Sequence, residues 1–115
     1  MRHRMKLFKE PFSRIKEKRK IIEVRLFDDK RQKVSIGDEI EFSLIDNPKE
    51  KILVKVIGMS RFKFFKDLYS SFHYSLFGHH HGITLEEQLR DIMECYSKSD
   101  EEKYGCLAIH VRLVK

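Results

Sequence analysis

Residues 20–25 read Lys-Ile-Ile-Glu-Val-Arg, a strand-like run holding three long ionisable side chains directly after the basic segment 16–19. Side chains of this kind lose hydration on burial, and they enter a folded protein only by pairing or by facing water. The run therefore reads as a site as well as a strand. In a regular strand Ile22, Val24 and Leu26 share one face, while Ile21, Glu23 and Arg25 share the other. The charged face would then point away from the better-packed side and wall a cleft. Lys20 lies three residues before Glu23, so it joins the same cleft only if a bulge or a strong twist intervenes near Ile21-Ile22. A plainer reading stands beside this one, in which the trio is an ion-paired wall that serves stability alone.

The flanking sequence alternates between helical and extended patterns. Pro11 suits the first turn of a short helix whose apolar face is Phe12 and Ile15 and which ends at Lys18. Residues 28–33 form a polar loop, and Gly37-Asp38 is a turn opening a strand over 39–45 with Ile40, Phe42 and Leu44 alternating. Asn47-Pro48 breaks that strand, and a β-branched run over 51–59 completes an antiparallel meander with the two before it. Over 61–69 the spacing changes to helical, with Phe65, Leu68 and Phe72 on one core-facing stripe. Thr84 and Glu87 make a capping box ahead of Leu85, Leu89, Ile92, Met93 and Tyr96. Ser99 and Glu102 suggest a second capped turn, and Leu107, Ile109, Val111 and Leu113 alternate through a final strand.

A chain of 115 residues with 41% hydrophobic content has room for one core, so a single domain over 1–115 is expected. Its net charge of +6 is uneven. Residues 1–33 hold thirteen Lys/Arg against five Asp/Glu, and residues 84–104 hold three against seven. Such a polarised molecule attracts polyanions to one side, which makes nucleic acid the first candidate partner; the competing reading is a basic surface that only solvates a small protein. Cys95, read as part of the helix after Thr84, and Cys106, near the final strand, have neither disulfide-framework nor zinc-ribbon spacing and are expected to be reduced thiols. No apolar run suits a bilayer, so no membrane association is expected and a cytoplasmic location is. His79-His80-His81 follows Gly78, and three adjacent side chains diverge, so these residues are expected to form a loop with no metal bound. His3 and His110 are expected at the surface or as satisfied core residues. No phosphate loop, nucleophile elbow or zinc helix motif is present, and no cofactor is expected.

Residues 1–7, Pro11-Phe12, Lys20 with Glu23-Val24-Arg25-Leu26, Asp29-Lys30-Arg31, Gly37-Asp38-Glu39-Ile40-Glu41-Phe42 and Tyr104-Gly105-Cys106-Leu107-Ala108-Ile109 together resemble the ASCH domain family over nearly the whole chain. Its signature is G-x-K-x-x-E-x-R, with Lys20, Glu23 and Arg25 in the K, E and R places and Lys18 where glycine is usual. The resemblance implies an α+β fold, a PUA-like small β-barrel, mixed or antiparallel, with flanking helices. It also implies a cleft for RNA and a role in RNA metabolism or transcriptional coactivation. On that reading Arg25 holds a phosphate or base edge, Lys20 adds a second positive charge, and Glu23 orients them or accepts a hydrogen bond. Arg19, Lys30, Arg31 and Lys33 would add screened attraction for RNA or a nucleotide-like ligand.

Some relatives are amidohydrolases that remove the acetyl group of N4-acetylcytidine with a lysine, a threonine and a glutamate. Here the lysine place is Lys20, the threonine place is Glu23, and the glutamate place falls at or near His81. Deacetylation of that type is therefore not expected. A hydrolase acting on RNA or modified nucleosides, with Lys20 and Glu23 as candidate catalytic groups and Arg25 as phosphate stabiliser, remains the alternative.

Overall fold

The computed structural model describes residues 1–115. Five strands and four helices follow in the order β1 (Arg2–Leu7), α1 (Lys9–Lys16), β2 (Ile22–Leu26), β3 (Glu39–Leu44), β4 (Asn47–Phe62), α2 (Phe65–Ser71), α3 (Leu85–Met93), α4 (Lys98–Tyr104) and β5 (Cys106–Leu113). Single 3-10 turns lie at Arg31–Lys33 and Tyr74–Phe77. The strands form one curled sheet in the order β1-β3-β4-β5-β2, with β1 parallel to β3 and every other pair antiparallel. The fold is α+β, and the barrel expected from the family resemblance is an open half-barrel, with β1 and β2 as its two unjoined edges.

Several expected elements move. Residues 2–7, with His3, Met5 and Leu7 buried and Arg4 and Lys6 exposed, are a strand that the sequence reading left unassigned. The meander is therefore β3-β4-β5, and β2 lies at the far edge beside β5. Asn47-Pro48 does not end the strand pairing. Ile45 and Asp46 make the turn, Leu44 faces Asn47, and Pro48 sits at the start of β4, where a missing N–H is tolerated. Arg61 and Phe62 extend β4 to sixteen residues, so the helix begins only at Phe65. Long alternation outweighs the local aromatic spacing because β4 pairs with β3 through its first half and with β5 through its second. A register shift between Val56 and Gly58 turns the strand between those partners. The last helix is capped by Ser97 over Asp100, two residues before the expected Ser99-Glu102 turn. The capping box of Thr84 and Glu87 is present, and Cys95 lies in the turn beyond α3, outside the helix.

Both faces of the sheet are packed. Met5, Leu7, Phe12, Ile15, Ile40, Phe42, Val54, Leu107 and Ile109 fill the concave side under α1. Ile22, Val24 and Leu26 pack on the other side with Cys106, Ala108, Phe65, Leu68 and Phe77. Directly opposed residues in an antiparallel pair share a face. Glu23 faces Ile109 and Arg25 faces Leu107, so the charged face of β2 turns into the concave, well-packed side and not away from it. His3 is met by Asp38 at 2.8 Å, and His110, on the inner strand β5, by Ser60 at 3.3 Å. No helix is long and apolar enough to cross a membrane.

Candidate functional site

The chain leaves α1 through a Schellman turn, in which the Arg19 N–H bonds the Arg14 carbonyl and the Lys18 N–H bonds that of Ile15. Lys18 has φ 64°, the left-handed conformation that glycine adopts without strain, and it holds that conformation at the glycine place of the signature. The turn drops Lys20 ahead of β2, outside the strand's alternation. The Ile21 N–H is held by the Leu76 carbonyl and its own carbonyl accepts from Val111. Neither a bulge nor a twist at Ile21-Ile22 is needed. Lys20 reaches the Glu23 carboxylate at 3.1 Å, and the second carboxylate oxygen accepts from Arg25 Nε at 2.7 Å.

Arg25 also spans the open seam of the half-barrel, donating from Nη2 to the Lys6 carbonyl at 2.8 Å. Lys30 does the same one register further along, reaching the Arg4 carbonyl at 2.5 Å. Edge carbonyls of β1 that lack a strand partner are thus satisfied by cationic side chains from the β2 side, which stop further strand pairing at that edge.

Glu23 is 4% exposed. Burial would push its carboxyl up, but the adjacent Lys20 and Arg25 cations outweigh burial and hold it at about 2, against an ordinary 4.5. Burial likewise acts to lower Arg25, and Glu23 overrides it, raising the guanidinium further. The trio is therefore a fixed cation-anion-cation array at neutral pH.

Above it lies a cleft of about 300 Å³ walled by Leu7, Phe8 and Pro11 on one side and by Ile92 of α3 and Tyr96, three residues beyond that helix, on the other. Tyr96 stacks on Phe65 with centroids 5.8 Å apart, which fixes the ring as a wall. Arg25 and Lys6 also line a shallow groove of about 580 Å³ with Arg4, Lys30, Arg31 and Lys51, where Glu41 is the one acidic residue. Lys20, Phe8 and Ile92 also border a third compartment, of about 550 Å³, which contains Tyr69, His79 and Gln88. Burial, then the Lys20 and Arg14 charges, pull His79 down to about 4, so it is neutral at physiological pH.

Of the residues singled out from sequence, Lys20, Glu23 and Arg25 come together, and Lys30 and Arg31 line the adjoining basic groove. Arg31 is held by Asp28 at 3.1 Å. Arg19 instead pairs with Glu17 on the exposed turn, and Lys33 lies exposed in the 3-10 turn; neither borders the cleft or the groove. The adjacent histidines diverge, with His79 bonded to Gln88 and His81 to the Tyr74 hydroxyl, and His81 stands outside the cleft. Sequence reading missed Arg4, Lys6 and Lys51 in the groove and Phe8, Ile92 and Tyr96 in the walls.

A curled half-barrel whose seam carries a Lys-Glu-Arg array agrees with the family comparison: the chain belongs to the ASCH domain family, whose model matches residues 5–115. It is similar to the crystal structure of hypothetical protein PH0355, at 30% identity and a TM-score of 0.86, over 99% of this chain and 100% of that one. It is also similar to the solution NMR structure of protein PF0455 from Pyrococcus furiosus, at 26% identity and a TM-score of 0.75, over 100% of this chain and 99% of that one. No curated protein matches it.

Proposed function

We propose that the protein binds RNA, with phosphates along the basic groove and one base in the cleft between Phe8 and Tyr96. The observation that carries this reading is that Arg25 and Lys6 border both spaces, so a chain whose anionic backbone lies in one can place a planar apolar group in the other. Arg4, Lys6, Lys30, Arg31 and Lys51 supply phosphate attraction, and single-stranded RNA offers the unstacked base that a narrow cleft requires. A nucleotide-like small ligand uses the same two spaces.

The hydrolase alternative finds less support. A general base works best with a pKa near the operating pH, and Glu23 at about 2 is a weak base clasped by two cations. His79, at about 4, is poorly matched as well.

Titration of a short unstructured RNA against salt tests the binding reading. Each phosphate neutralised contributes about −0.7 to the slope of log affinity on log salt. Replacing Arg4 and Lys51 together with Ala should flatten that slope by about 1 or more and weaken all sequences alike. Absence of binding at low salt would remove the reading.

A further inference from the structure

The electrostatics of the cleft change sign across the Lys-Glu-Arg array. On the Arg25 side the groove carries five further Lys/Arg and one Glu. On the Lys20 side the compartment is bordered by Asp46, Asp91 and Glu94, three exposed carboxylates that no cation of the protein pairs. Arg14 there is taken up by Glu10 at 3.5 Å, and Lys20 by Glu23 at 3.1 Å, leaving Lys9 as the one unpaired cation at that rim.

Beside Lys20 and Arg14, the compartment also holds neutral side chains able to hydrogen-bond a ligand. Tyr69 is 7% exposed, lines the space, and has no hydrogen-bond partner within the protein for its hydroxyl. Gln88 is 5% exposed, and its amide nitrogen sits 3.0 Å from His79 Nδ1, which leaves the amide oxygen as a free acceptor. Neither atom is sealed off, so each is open to a partner that enters the compartment. Behind an acidic rim these two groups can meet the neutral hydroxyls or base edge at the end of a nucleotide, whereas a second phosphate there would lie against the Asp46, Asp91 and Glu94 carboxylates.

We propose that the cleft receives a terminal nucleotide of an RNA chain, held by phosphates on the Arg25 side only, and that it rejects an internal nucleotide whose backbone would continue past Asp46, Asp91 and Glu94. This rests on the RNA reading above and adds polarity to it. An internal nucleotide has phosphates on both sides, so one side must run against unpaired carboxylates, and like charges placed together at an interface are strongly disfavoured. A chain end has no such phosphate.

The test compares one short unstructured RNA in linear and in circular form at fixed low salt. The linear RNA should bind, and the circle should bind roughly tenfold or more weakly. Reversing the rim with Asp46→Lys and Glu94→Lys, both exposed positions, should bring the circle up toward the linear form. Equal binding of the two forms by the unaltered protein overturns the inference and leaves the RNA reading standing. So does a deficit for the circle that the reversed rim does not reduce. Failure of both forms to bind overturns the RNA reading itself.

Discussion

Replacing Glu23 with Gln removes one negative charge from the centre of the array and keeps the shape and an acceptor for Arg25. The cost follows from the carboxyl's displacement from an ordinary 4.5 to about 2 in the folded protein. A shift of ~2.5 units at 1.36 kcal/mol per unit corresponds to about 3 kcal/mol. This agrees with the ~3–5 kcal/mol typical of breaking a buried ion pair from one side, which leaves Lys20 and Arg25 facing each other without the anion. For a chain of this length such a loss lowers the melting temperature by roughly 10–15 °C.

The pH dependence has a definite sign. A carboxyl whose folded value lies below its unfolded one stabilises fully above the unfolded value, and that stability disappears as pH falls through the folded value. Glu23 should thus contribute its full share above about pH 5 and little by about pH 2, where protonated Glu and Gln are near equivalents. Urea melts followed by circular dichroism at several pH values should show a gap of about 3 kcal/mol between the two proteins at neutral pH, closing in acid. A gap below ~1 kcal/mol at neutral pH, or one that stays constant in acid, would refute the reasoning.

Other outcomes follow from individual residues. Lys18→Gly should stabilise by ~1 kcal/mol, read as a raised midpoint in urea, because the left-handed φ of 64° costs a lysine what glycine does not lose. Gly78→Ala should destabilise by ~1–2 kcal/mol and weaken ligand binding beyond that loss, since φ is 77° and the new methyl would stand 3.1 Å from Lys20 Cβ and 3.0 Å from Arg14 Cδ. N4-acetylcytidine should not be converted to cytidine by the purified protein. A conversion that disappears in Lys20→Ala would instead put a reactive Lys20 at the centre of the site.

What was legible depended on whether a signal was local. The capping box at Thr84 and the alternation of residues 107–113 each state their role within a few residues and stand where they were read, whereas the charged run 20–25 gave a strand over 22–26 but the wrong direction for its charged face. Residues 2–7 also alternate, but His3 occupies one inward position and arginines and lysine the outward ones, so the hydrophobic signal is thin until Asp38 is seen to satisfy the histidine. Missing β1 meant missing Arg4 and Lys6, hence the groove. Arg61 and Phe62 were assigned to a helix because aromatic spacing near 65–72 is helical; the pairing of Phe62 with Cys106, 44 residues away, decides otherwise and leaves no local trace. The reach of Lys20 to Glu23 was hidden for a related reason. It depends on a left-handed residue at Lys18, where the sequence carries no glycine to announce the turn.

The two readings of the trio, structural wall and ligand cleft, are not alternatives in this geometry. An open half-barrel leaves carbonyls of β1 without partners, and Arg25 serves one of them while holding Glu23. Truncating Arg25 therefore removes an anchor of the seam along with any ligand contact, and melting temperature alone cannot separate those effects. The guanidinium carries five N–H donors. Two are spent, on Glu23 and on the Lys6 carbonyl, which leaves three for the groove that Arg25 also lines. An anion arriving there need not break the seam to be bound. Because the clasp already fixes the guanidinium, little side-chain freedom is left to lose on binding, and this lowers the entropic cost of recognition.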